Sequence, residues 1–296
     1  MIQGSGAFEA MDGGDDSRME EAVRMMATLD DAIPTRGRFR GRVAVVTGAA
    51  RGIGRAVALR LAREGAEGVV VLDVRREEGR ETVRLVEEAG GPAPSRALFV
   101  EADVSRAEQV EAAAERVRRE FGRCHVLVND AGISGRPIGD GPVHRCSLET
   151  WERVLAVNLT GVFLSSRSFI PLMMEEGGAV VSIASDDALL GSLPPTDTHA
   201  YSASKGGVIA LTRAMAVSYA ASRIRVNAVA PGWVATPMTA DLRSDPQMAA
   251  RLAAACPLNR IATAEEIAGA VAFLASDDAA FVTGVTLPVE GGSTVW

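Results

Sequence analysis

The chain has 296 residues, 47 % hydrophobic and 23 % charged, which supports a packed core and excludes a disordered chain. Its net charge of −7, with no basic stripe beyond Arg36, Arg38, Arg40 and Arg42, excludes a nucleic-acid partner. Cys124, Cys146 and Cys256 are too widely spaced for a disulfide framework or a zinc site, and His125, His144 and His199 lack ligand spacing, so no metal is expected. No uninterrupted apolar run reaches the roughly 18 residues of a membrane span, and the first residues lack the layout of a secretory signal. The expected setting is the reducing cytoplasm, without a membrane partner. Of the 31 basic residues only Lys205 is a lysine; where arginine serves, this chain uses arginine.

In chain order, residues 1–40 read as an N-terminal extension. Residues 1–33 carry eight acids against Arg18 and Arg24, and Met19, Val23, Met26, Leu29 and Ile33 recur at helical spacing. A disordered start, a short amphipathic helix, Pro34 and a basic linker are expected, either as a solvated appendage or as an arm docked on a neighbouring subunit. Residues 41–296 read as one α/β domain. Strands are predicted at 43–46, 69–72, 97–100, 126–128, 180–183, 225–229 and 287–289, apolar nearly throughout, as in strands covered on both faces. Helices are predicted at 55–64, 76–88, 106–121, 203–220 and 265–274. This alternation implies a doubly wound parallel sheet of about seven strands with helices on both faces.

The first strand runs into Thr47-Gly48-Ala49-Ala50-Arg51-Gly52-Ile53-Gly54. Glycines between a strand and a helix let the backbone approach a pyrophosphate, which the free N–H groups of the helix start then bind. Gly48, Arg51, Gly52, Ile53 and Gly54 are therefore the expected cradle. Asp73 ends the second strand nineteen residues after Gly54. An acid there accepts hydrogen bonds from ribose hydroxyls and repels a 2′-phosphate, which favours NAD(H) while leaving NADP(H) open. Arg51, Arg75 and Arg76 argue mildly for a phosphate, although a solvated helix start accounts for them too.

Tyr201 and Lys205 are four apart in a helical stretch and so share one face. An ammonium beside a phenol favours phenolate, which is expected to bring Tyr201 down from about 10 towards a useful acid–base range. The lysine is expected to be irreplaceable, because a planar guanidinium would displace its neighbours.

With these motifs, residues 41–292 resemble the short-chain dehydrogenases/reductases, whose glycine loop has the T-G-x-x-x-G-x-G spacing. The resemblance implies a Rossmann-type fold. It also implies adenine contacts at Asp103 and Val104, and further cofactor contacts from Asn129, Ala131 and Gly132. Pro231, Gly232, Val234 and Thr236 would lie at the nicotinamide, with Tyr201 and Lys205 also touching the cofactor. It assigns Ser185, over its rival Ser182, to orient the reacting oxygen, Tyr201 to the proton, Lys205 to the ribose, and Asn158 to a proton relay.

Departures are Asp130 and Glu290 where the family has Asn and Asp, and a sixteen-residue spacing from Ser185 to Tyr201, with the extra length in 191–199. Asp186, Asp187, residues 135–146 and a lid at 237–260 are expected around the substrate. The function so implied is NAD(H)-dependent interconversion of a secondary alcohol and a ketone. The alternatives are an NADPH-linked 3-oxoacyl-type ketoreductase and a non-catalytic dinucleotide sensor. The resemblance implies a homotetramer or dimer, with the apolar helix at 206–220 as candidate interface.

Overall fold

The computed structural model describes residues 37–296 apart from 90, 92, 93 and 193, so the helix expected near 19–33 lies outside the described residues. Seven parallel strands form one sheet: β1 (Val43–Thr47), β2 (Gly68–Asp73), β3 (Arg96–Glu101), β4 (Val126–Asn129), β5 (Gly178–Ile183), β6 (Ile224–Pro231) and β7 (Thr286–Val289). Their order is β3-β2-β1-β4-β5-β6-β7. The strands β1, β2 and β4 are buried at every residue, which is why they read as unbroken apolar runs. The expectation of two-sided burial fails at β3, an edge strand whose end residues Arg96 and Glu101 are exposed.

The helices are α1 (Gly52–Arg63), α2 (Arg76–Glu88), α3 (Ala107–Phe121), α4 (Leu148–Leu155), α5 (Gly161–Phe169), α6 (His199–Tyr219), α7 (Ala240–Arg243), α8 (Pro246–Ala253) and α9 (Ala264–Ala275). A π-helical turn, Ala156–Thr160, joins α4 to α5. One apolar cluster, with Leu61, Ile267 and Val271, packs on one face of the sheet, and another, with Val110, Phe169 and Ile224, on the other. Each such residue contributes about 1.5–3 kcal/mol by leaving water. The run Leu148–Leu172 is long and apolar enough to cross a membrane, but half of it is buried in the fold, as in a core helix.

The folded unit begins before residue 41. Phe39 is buried in the core, and Arg38 donates to the buried carboxylate of Glu64 at 2.5 and 2.8 Å. Burial alone would push the Glu64 carboxyl up; hydrogen bonds from Arg38 and Arg60 hold it below its ordinary value. Arg38 and Phe39, expected in a linker, are thus part of the domain.

The chain reaches the β3 edge and then returns to pair β4 with β1. At that reversal the loops after β1 and β4 diverge, which opens a crevice at the carboxyl ends of the strands. The Thr47 hydroxyl accepts from the backbone N–H groups of Asp130 and Ala131 at 3.1 and 3.2 Å, tying the two loops together.

Candidate active site

The crevice begins between Gly48 and Asp73. Gly48 has φ +69°, and a Cβ there would meet the Ala131 backbone at 2.7 Å. A Cβ on Gly54 would meet the Gly48 carbonyl oxygen at 2.6 Å. The glycine spacing is therefore imposed by backbone against backbone, and it leaves the start of α1 open to the crevice. The Asp73 carboxylate caps this end, accepting from Ala50 N–H and Arg75 N–H, both at 3.0 Å. Each oxygen retains a lone pair for a hydroxyl. Arg76 is ion-paired with Glu101 at 2.6 Å and Arg75 with Glu78 at 3.6 Å, so both serve the solvated helix start. Arg51 lines the crevice, and its side chain has no hydrogen-bond or ion-pair partner among the described residues.

A cavity of about 330 Å³ runs along this end. Gly48, Arg51, Gly52, Ile53, Asp73, Asp103, Val104, Ala131, Gly132 and Thr236 all border it. It shares Ile53, Asp130, Gly132, Thr236 and Met238 with a pocket of about 120 Å³ that holds Ser185, Tyr201, Lys205, Pro231, Gly232 and Val234. The two make one groove. Asn129 does not face it: its side chain is buried and donates to Ser166 and Ser182 at 3.4 and 3.3 Å. Alternation along β4 turns that side chain into the core. Ser182 is buried beneath Asn129, whereas Ser185, just past β5, borders the pocket.

Tyr201 and Lys205 lie in the first two turns of α6. The preceding Thr198 makes no side-chain cap; instead Asp140 accepts from Ala200 N–H at 3.0 Å and Tyr201 N–H at 2.9 Å. A carboxylate at a helix N-terminus satisfies orphan N–H groups and opposes the positive dipole end. The 135–146 segment therefore anchors the helix carrying Tyr201, in addition to placing Arg136 in the pocket wall. No local sequence signal marks Asp140, because the cap comes from sixty residues away.

The Tyr201 phenol hydrogen-bonds to Ser185. Lys205 Nζ donates to the Ile183 carbonyl at 2.6 Å and lies 5.6 Å from the Tyr201 ring centre. The expected lowering of the phenol is not found. Burial, then the Asp187 carboxylate, push it above its ordinary value against the Ser185 hydrogen bond. Burial brings Lys205 down to about 8, opposed by Asp130. Burial likewise pushes Asp130 and Asp186 up to about 7, and Asp187 is also raised. Asn158 is fully buried on the π-helical turn, accepting from Ile133 N–H at 2.9 Å and donating to Ile133 O and Ser204 Oγ at 3.0 and 3.1 Å. It clamps the β4 loop to α6.

Beyond the pocket, Arg136 bonds the Met238 carbonyl at 3.3 Å and the Asp241 carboxylate at 3.1 Å, joining the β4 loop to the segment 237–260. Asp130, Asp140 and Trp233 are site residues whose roles the sequence pattern does not show: Asp130 figures only as a departure, Asp140 only as one residue of the expected 135–146 wall, and Trp233 lies inside a motif whose other residues carry it.

Residues 48–294 match the family profile described as enoyl-(acyl carrier protein) reductase, and the chain belongs to the short-chain dehydrogenase/reductase family. It is 46 % identical to the cis-4-hydroxycyclohexanecarboxylate dehydrogenase of Sinomonas cyclohexanicum, over 86 % of this chain and 98 % of that protein. It is 40 % identical to 3beta-hydroxysteroid dehydrogenase 1 of Eggerthella lenta, over 87 % and 95 %. Its fold superposes with a TM-score of 0.80 on carveol dehydrogenase from Mycobacterium avium in complex with NAD, at 32 % identity, covering 88 % of this chain and 99 % of that one. The chain is an oxidoreductase acting on CH–OH groups, with a small-molecule substrate.

Proposed function

We propose that the chain interconverts a secondary alcohol carried on a six-membered ring and the corresponding ketone, with NAD(H) as cofactor. The observation that carries this is one groove joining Asp73 at its far end to Ser185, Tyr201 and Lys205 at its near end. The named substrates of the three similar proteins support a ring alcohol, since each bears its hydroxyl on a six-membered ring.

The dinucleotide fits the groove: Gly48 and Gly52 leave the backbone bare for phosphates, Gly54 lets α1 pack close against Gly48, and Asp73 offers lone pairs to a ribose. Asp103 and Val104 would flank the adenine, while Val234 and Thr236 would hold the carboxamide. When bound, the nicotinamide supplies the hydride acceptor or donor. In ketone reduction the Ser185 hydroxyl orients the substrate oxygen, and Tyr201 gives it the proton. A phenol held above its ordinary value stays protonated at neutral pH and suits this direction. In alcohol oxidation Tyr201 must first lose that proton. Lys205 would contact the nicotinamide ribose, and Asn158 would steady the relay that refills the proton.

Asp73 and the ion-paired Arg75 and Arg76 disfavour the NADPH-linked 3-oxoacyl reading. A sensor would need neither Tyr201 nor Lys205. The fully exposed Phe281, with Val217 and Trp296, favours assembly into a homotetramer or dimer. The deciding experiment is Tyr201→Phe with ring alcohols and ketones. Turnover should fall at least ~10³-fold, about 4 kcal/mol, while NADH fluorescence titration changes less than threefold. Oxidation by the parent should climb with pH above neutrality. Retained turnover in Tyr201→Phe rejects the mechanism.

A further inference from the structure

Past the pocket of Ser185 and Tyr201 the groove opens into a second cavity of about 440 Å³. The two meet at Asp186, Asp187, Thr196 and Trp233. The catalytic pocket is the smaller of the two, at about 120 Å³. The outer cavity falls within the roughly 300–1,000 Å³ of sites that enclose whole drug-sized ligands.

One wall is made by Leu190, Pro194 and Pro195, the two prolines lying within the stretch that lengthens the Ser185–Tyr201 spacing. Leu252 on α8 and Leu258 after it form the facing wall, and Trp233 lies at the junction. None of the cradle residues 48–54, nor Asp73 or Asp103, borders it. At the junction the Ser185 hydroxyl lies 3.3 Å from the Asp186 carboxylate, and Glu290, farther along the wall, accepts from Ser293 at 2.7 Å and Thr294 N–H at 3.1 Å. Arg251, Arg260 and Glu266 also border the cavity, the last two paired with each other, while the space between Leu190, Pro194, Pro195, Leu252 and Leu258 suits apolar bulk.

We propose that this outer cavity receives the apolar body of a polycyclic alcohol, whose reacting ring lies in the catalytic pocket and whose remaining rings extend between the 190–195 segment and α8. This rests on the function proposed above and narrows its substrate to fused-ring alcohols over single-ring ones.

The test uses the full chain with NAD⁺, cyclohexanol and a 3-hydroxysteroid as probes. The steroid should have a kcat/KM at least 100-fold above that of cyclohexanol. Ala255→Trp, at an exposed position on the cavity wall, should remove at least 30-fold of that advantage and change cyclohexanol oxidation less than threefold. Leu258→Trp repeats the test from a second point on the wall. If cyclohexanol is oxidised as efficiently as the steroid, or the advantage survives both variants, the inference is overturned and the proposed function stands. If no ring alcohol is oxidised, both fall.

Discussion

At the Asp73 end of the groove the backbone does the positioning, whereas at the Ser185 end side chains from distant segments do. The first end is three glycines, a helix start and one acid, all within residues 47–73. The second end assembles Ser185 after β5, Tyr201 and Lys205 on α6, Asp140 from the β4 loop, Trp233 after β6 and Ser293 near the C-terminus. It also gathers buried acids: Asp130, Asp186 and Asp187 are all pushed above the usual carboxylate range, burial being the main cause in each. The first end follows from steric rules. The second holds polar groups that the fold strains to keep.

Three substitutions sharpen this contrast. The largest effect is expected at Lys205, at the Ser185 end. Lys205→Arg should lower kcat/KM by at least 100-fold, because a planar guanidinium cannot replace a buried ammonium that donates at 2.6 Å to Ile183. Activity within threefold of the parent would show that the charge alone matters. Next, Asp73→Ala should narrow the preference for NADH over NADPH by about 10- to 100-fold, measured as the ratio of the two dissociation constants. An unchanged ratio would move cofactor choice away from β2. The smallest effect is on stability. The Asp186 carboxyl, held near 7 against an ordinary 3.8, keeps its proton in the folded state after the unfolded chain has lost it. Folding stability therefore declines as pH rises from about 4 to 7. Asp186→Asn should remove that decline, giving a variant more stable than the parent at pH 8 by about 1–3 kcal/mol, or several degrees in Tm, with the gap closing towards pH 4. A constant gap would assign the effect to packing.

The same contrast explains what could be read in the sequence. All seven strands and the helices α1, α2, α3, α6 and α9 are legible: β1, β2 and β4, covered at every residue, have no polar face to confuse the pattern, and the partly exposed edge strands β3 and β7 still carry apolar runs. The helices α4 and α5 give a weaker signal, since the π-helical turn at Asn158 breaks their shared period. At the site, residues bound to a local backbone motif are legible. The role of Asp140 is not, because nothing near it in sequence shows that it caps α6. Asn129 sits inside a recognisable motif, yet its side chain serves the core. The height of the Tyr201 pKa is not legible either: spacing reveals the cation four residues away, but not the depth of burial or the acids brought from other loops.

The solitary lysine has a practical consequence. Positive charge on the described surface is carried by guanidinium groups, and the one side-chain amine is buried in the groove with 4 % exposure. Apart from the α-amino group, an amine-selective reagent has a single possible target. Its rate of reaction becomes a direct gauge of groove occupancy, slowed by anything that sits over Lys205, and requires no engineered label.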